Sequence, residues 1–114
     1  MKLISLKTAE KKIRSLKKNG RVVVFTNGCF DVIHSGHIKL LKRCRELGDV
    51  VIVGLNSDSS VKKLKGSKRP INNIHDRIEV LSAISYVDYI IVFNELTPEK
   101  VIKMIMPDFL VKGG

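Results

Sequence analysis

Four short apolar runs constrain this chain more than any other feature. VVVF at 22–25, VVIVGL at 50–55, YIIVF at 89–93 and FLV at 109–111 are rich in valine and isoleucine and too short for ordinary helices. A strand that shows one face to water alternates apolar and polar residues. These runs are apolar at consecutive positions, as strands of a parallel sheet buried on both faces are. Around them the apolar spacing switches to the helical period. Ala9, Ile13 and Leu16 precede the first run and stop at Asn19-Gly20; Leu40, Leu41, Cys44 and Leu47 follow it and stop at Gly48. SSVKKLK at 59–65 reads as a short polar helix and GSKRPINN at 66–73 as a loop. Ile74, Ile78, Leu81 and Ile84 form another helical face behind Asn73 as N-cap, and Thr97-Pro98 opens a helix over 98–105 that Pro107 ends.

Strands alternating with helices predict an α/β fold: a doubly wound parallel sheet in three αβα layers. The 114 residues, with no internal repeat, linker or low-complexity tract, suit a single domain over 1–114, with a helix at 8–18 ahead of the strand–helix repeats. If the first run is central, with the second and third to one side and the fourth to the other, a switch point opens beside it. Ligands of such sheets bind there, at the carboxyl ends of the strands. TNGCFDVIHSGH leaves the first run and Lys112-Gly113-Gly114 leaves the fourth, so the two segments are expected to meet.

His34 and His37 stand three apart around Gly36. With Ser35 as N-cap of the helix reaching Leu47, the Gly36 and His37 N–H groups would be unpaired donors at the positive end of the helix dipole, a site for an anion. Gly36 would let a phosphate approach the backbone without a Cβ in the way. Both imidazoles can project to one side, and a bound polyphosphate would favour their cationic forms. Positioned donors without a covalent nucleophile suit phosphoryl or nucleotidyl transfer. A structural role for both histidines, or zinc on Cys29, His34 and His37, remains open, although no fourth zinc ligand is evident. The GxGxxG and GxxxxGK[ST] phosphate loops are absent.

The formal charge of +10, from 21 Lys plus Arg against 11 Asp plus Glu, favours anionic partners. Nucleic acid is one candidate, through Lys62, Lys63, Lys65, Lys68 and Arg69, but aromatics are only 5% and no recognition motif is present, so a solvated basic loop is the plainer reading. No apolar run approaches a membrane span, and MKLISLKTAEKK lacks the apolar block of a signal peptide; a cytoplasmic protein is expected. Two cysteines do not make a disulfide framework, and Cys44 falls on a buried helical face.

GCFDVIHSGHIKLL resembles the signature of the HxGH nucleotidyltransferases related to glycerol-3-phosphate cytidylyltransferase. NGCFD, LGDVVIVGLNSDSSVKKLKGSKRPIN, DRIEVLSAISYVDYIIVF and PDFLVKGG, in that order, are similar to one branch, the adenylyltransferase domain of ADP-heptose synthesis that serves the lipopolysaccharide core. The likeness covers residues 21–114; the glycerol enzymes more often carry threonine where Cys29 stands. It implies a Rossmann-like fold of the nucleotidyltransferase type. It also implies transfer of AMP from ATP, with Mg²⁺, to D-glycero-β-D-manno-heptose 1-phosphate, releasing pyrophosphate. On this resemblance His34, His37, Lys65 and Arg77 are catalytic, with Lys63 competing for the place of Lys65. Thr26, Asn27, Gly28, Cys29, Phe30, Gly36, Lys112 and Gly113 bind the nucleotide, and Asp31 fixes the loop. No carboxylate stands out as a metal ligand. Relatives continue past VKGG with a strand and a helix, including an Ile-Ser-Thr-Thr stretch on the nucleotide phosphates; this segment is expected to be missing from the chain. They often form homodimers.

The same chemistry on other substrates, CTP with glycerol 3-phosphate or ATP with FMN, is the neighbouring alternative. A nucleotide-binding module without catalysis is the alternative of another class.

Overall fold

The computed structural model describes residues 2–113. Gly114, expected with Lys112 and Gly113 at the end of the fourth strand, lies outside the described residues. The four apolar runs are strands β1 (Val23–Gly28), β2 (Val50–Asn56), β3 (Tyr89–Phe93) and β4 (Phe109–Leu110). They form one parallel sheet in the order β3-β2-β1-β4, with Val23 opposite Val50, Ile52 opposite Tyr89 and Val24 opposite Phe109. The expected reversal of winding beside the first strand is therefore present, between β1 and β4.

Helices α1 (Leu6–Lys18), α2 (Ser35–Leu47), α3 (Asp58–Lys65), α4 (Ile74–Ser82) and α5 (Glu99–Ile105) connect the strands. The alternation of side chains along each strand sorts the core into two layers. Val23, Phe25, Ile52, Ile91 and Phe93 face α1 and α5 through Ala9, Ile13, Val101 and Ile105. Val53, Leu55 and Ile90 face α2 and α4 through Leu41 and Leu81, and Val24 and Val51 enclose Cys44. Burial pushes the Cys44 thiol up to about 11. Gly54 is required by this packing, because a Cβ there would lie 2.6 Å from the Phe25 ring. None of the described helices is long and apolar enough to cross a membrane.

Element ends differ from expectation where tertiary contacts decide them. β1 runs on to Gly28, since β2 offers partners as far as Leu55. α5 starts at Glu99 and its N-cap is Pro98, not Thr97; no side-chain cap bond forms. Asn73 is the N-cap of α4 as expected, accepting from Asp76 N–H.

Candidate active site

β1 ends at Gly28 and the chain turns at once. Phe30 adopts φ +46°, a region that side chains with a Cβ rarely occupy. This places its buried ring under Gly28 and against His37, with ring centroids 5.2 Å apart. Asp31 follows, only 8% exposed. Its carboxylate accepts from Ile71 N–H at 2.9 Å, Asn72 N–H at 2.8 Å and Arg69 Nη1 at 3.2 Å. Burial raises the Asp31 pKa, but these hydrogen bonds and the Arg69 charge outweigh it and hold the carboxyl below its ordinary value. Asp31 is thus a loop anchor, as expected, and the loop it holds is 66–73.

The start of α2 differs from expectation. The N-cap is His34, not Ser35, and the His34 Nδ1 accepts from Gly36 N–H at 3.0 Å. His37 Nδ1 in turn accepts from His34 N–H at 3.1 Å, and His37 N–H donates to the His34 carbonyl. The two backbone donors expected to meet an anion are therefore used within the chain. Gly36 is needed for a reason other than phosphate approach: a Cβ there would meet the His34 ring at 2.7 Å.

The consequence is a defined tautomer. An imidazole whose Nδ1 accepts a hydrogen bond carries its proton on Nε2 when neutral. His34 and His37, with centroids 4.2 Å apart, therefore both keep an Nε2–H donor for a ligand. The His37 pKa is lowered, first by burial and then by the His34 and Lys65 charges. Within the unliganded fold its neutral form is favoured; the cationic form was expected only beside a bound polyphosphate.

A cleft of about 1230 Å³ opens over this turn. Asn27, Gly28, Cys29, Phe30, His34, Gly36, His37, Lys65, Lys112 and Gly113 all line it, so ten of the twelve expected site residues come together from four separate segments. Of the two lysines, Lys65 lines the cleft and Lys63 does not.

Two expectations fail. Thr26 is 1% exposed and its hydroxyl donates to the Val111 carbonyl at 2.7 Å; it stitches the chain after β4 to β1 and does not reach the cleft. Arg77 is 1% exposed and does not line the cleft either. Its guanidinium binds Asp58 and the carbonyls of Cys29, Asn56 and Asn72. In this structure its donors are used inside the fold and none faces the cleft.

Sequence reasoning missed Lys39 and Arg43, which line the same cleft. Gly36, Lys39, Leu40 and Arg43 share one helical face, so counting threes and fours from Gly36 would have found them. Arg69, considered only for nucleic acid, also lines the cleft. Its pairing with Asp31 joins residues 38 apart and left no local signal.

Among the described residues no three His, Cys, Asp or Glu side chains gather as metal ligands.

The comparisons with known proteins agree with this geometry. The family model described as "Cytidylyltransferase-like" matches residues 25–114. The bifunctional protein HldE of Nitratiruptor sp. is 55% identical over 101 residues, covering 89% of this chain and 22% of that protein. HldE of Campylobacter concisus is 56% identical over 110 residues, covering 96% and 23%. The chain thus spans less than a quarter of the length of these relatives. A lipopolysaccharide core biosynthesis protein from Thermoplasma volcanium has the same fold, with a TM-score of 0.72 at 32% identity over 80% of this chain and 73% of that one. A pantoate-beta-alanine ligase from Francisella tularensis, complexed with an ATP ligand, shares the fold at 23% identity, with a TM-score of 0.61 over 96% of this chain and 39% of that one. With the family model matching from within β1 to the end of the chain, over the HSGH turn and its cleft, the chain belongs to the cytidylyltransferase-like family.

Proposed function

We propose that the chain is a cytoplasmic nucleotidyltransferase that moves AMP from ATP to a sugar 1-phosphate, heptose 1-phosphate, with release of pyrophosphate. The observation that carries this reading is the pair of Nε2–H donors at the positive start of α2, in one cleft with Lys65 and Lys112. The core-biosynthesis title of the Thermoplasma structure, 32% identical to this chain, supports the choice of a sugar acceptor.

The reaction is a direct displacement. A phosphate oxygen of the sugar 1-phosphate attacks the α-phosphorus of ATP, the new O–P bond forms, and the bond to the β-phosphate bridge breaks. Negative charge spreads over the α-phosphoryl oxygens and the departing pyrophosphate. His34 and His37 donate Nε2–H to those oxygens, while Lys65 and Lys112 supply positive charge from the same cleft. A neutral imidazole with a committed tautomer is a donor that needs no proton uptake at the moment of reaction. No described residue is assigned to magnesium, since Asp31 already spends its carboxylate on three donors. The ion enters with the triphosphate as part of the substrate.

The test is pyrophosphate release from ATP, Mg²⁺ and heptose 1-phosphate. His37→Ala is expected to lower turnover about 10²–10³-fold, the usual effect of losing one such donor, with the melting temperature close to wild type. No pyrophosphate release by wild type with any sugar 1-phosphate, under ATP or CTP, would defeat the reading. Faster turnover of CTP with glycerol 3-phosphate would move it to the neighbouring alternative.

A further inference from the structure

Arg77 sits in the first turns of α4 with its side chain fully buried. Nε donates to the Asn72 carbonyl at 3.1 Å, Nη1 to the Cys29 and Asn56 carbonyls at 2.8 and 2.7 Å, and Nη2 to Asp58 Oδ1 at 2.6 Å. One planar fork therefore holds four segments: the turn after β1, the end of β2, the start of α3 and the loop before α4. Only arginine presents donors in this geometry; a lysine ammonium has three donors on a single atom.

The Cys29 carbonyl belongs to the peptide that leads into Phe30, the residue with φ +46°. The ring that this backbone places is the one against His37. Asp58 is the first residue of α3, and Lys65, which lines the cleft, is the last. We propose that Arg77 is the positioning residue of the site: through the Cys29 carbonyl and Phe30 it sets the His37 ring, and through Asp58 and α3 it sets Lys65. It never touches the nucleotide. Strained φ values persist where surrounding contacts over-determine them, and here the contact is a buried charge-assisted hydrogen bond. The loop therefore holds its strained shape before any ligand arrives.

The catalytic consequence rests on the nucleotidyl-transfer reading; the structural consequence does not, and the two are tested separately. Cys29 is partly exposed on the cleft, whereas Cys44 is fully buried. Alkylation with iodoacetamide, followed by mass spectrometry of the two cysteine peptides, thus reports on the turn at Cys29 with Cys44 as an internal control for global opening. In Arg77→Lys, Cys29 is expected to react at least fivefold faster while Cys44 stays silent. In long-range ¹H–¹⁵N spectra of the imidazoles, His37 is expected to change from a pure Nε2–H tautomer to a mixture. If wild type turns over substrate, kcat of Arg77→Lys falls at least tenfold, with a smaller change in KM for the acceptor. Should wild type turn over nothing, the alkylation and tautomer results still decide the matter. Wild-type values of both in Arg77→Lys would overturn the proposal. If Arg77→Lys does not fold, Asp58→Ala, which frees only Nη2, takes its place: a shift in either readout supports the proposal and wild-type values in both overturn it.

Discussion

Two ion pairs flank the loop over 66–73, and they are built in opposite senses. In the Asp31–Arg69 pair the carboxylate is buried, 7% exposed, and the guanidinium is 45% exposed. In the Asp58–Arg77 pair the guanidinium is fully buried and the carboxylate is 39% exposed. In each pair the buried member also bonds backbone: Asp31 takes two N–H groups of the loop, and Arg77 gives to three carbonyls. A charge can be buried when its hydrogen-bonding capacity is filled, and backbone groups fill it more reliably than a mobile side chain. The exposed member then contributes charge, and its removal leaves the buried one mostly satisfied. Reading an ion pair by its distance alone would make the two partners equivalent; the burial says they are not.

This asymmetry can be broken by measurement. The largest effect is expected for Arg77→Met, which strands three carbonyls and Asp58. Urea unfolding should show a loss of about 3–5 kcal/mol, the scale for removing one member of a buried charge network. Next comes Asp31→Asn, expected to cost about 2–3 kcal/mol at neutral pH, because charge-assisted bonds to two N–H groups weaken. Its pH dependence sharpens the point. The folded pKa of Asp31 is depressed below the ordinary aspartate value of 3.8, so its contribution is present above that value and is lost as pH falls through the lower folded pKa. Asp31→Asn should lack that part of the acid limb, and an unchanged acid limb would mean the anchor is not ionised in the fold.

Smaller still is Asp58→Asn, expected at about 1 kcal/mol, since the half-exposed carboxylate gains little from its charge and leaves one Arg77 donor short. The smallest is Arg69→Ala, within about 0.5 kcal/mol, as for other exposed partners. A loss for Arg69→Ala equal to that of Asp31→Asn would end the comparison, because it would show that the pair acts as one unit.

Much of the molecule was legible in the chain itself. The runs VVIVGL and YIIVF coincide with β2 to within one residue and with β3, because apolar content at consecutive positions is a property of the segment. Of the cleft, HSGH and Lys112-Gly113 were legible because strand–helix alternation dictates which loops share the carboxyl edge of a parallel sheet, whereas Lys65 came from the resemblance alone. What the resemblance implied for Thr26 and Arg77 was not met, for one physical reason. Both have polar groups that could serve a ligand, and only the fold shows that those groups are already used, by Val111 in one case and by Asn56, Asn72, Cys29 and Asp58 in the other.

The protonation of the histidines belongs to the same class. Their three-residue spacing is written in the sequence, and so is their capacity to donate. Which nitrogen donates depends on where Nδ1 finds a backbone N–H, and that follows from the extended backbone of His34 at the start of α2. Sequence by itself determined the order of elements, the layers and the edge at which the cleft opens, because these follow from hydrophobic period and chain direction. Tertiary structure alone decided which polar groups face the cleft and which are consumed inside, because hydrogen-bond partners come from distant segments, Val111 lying 85 residues from Thr26.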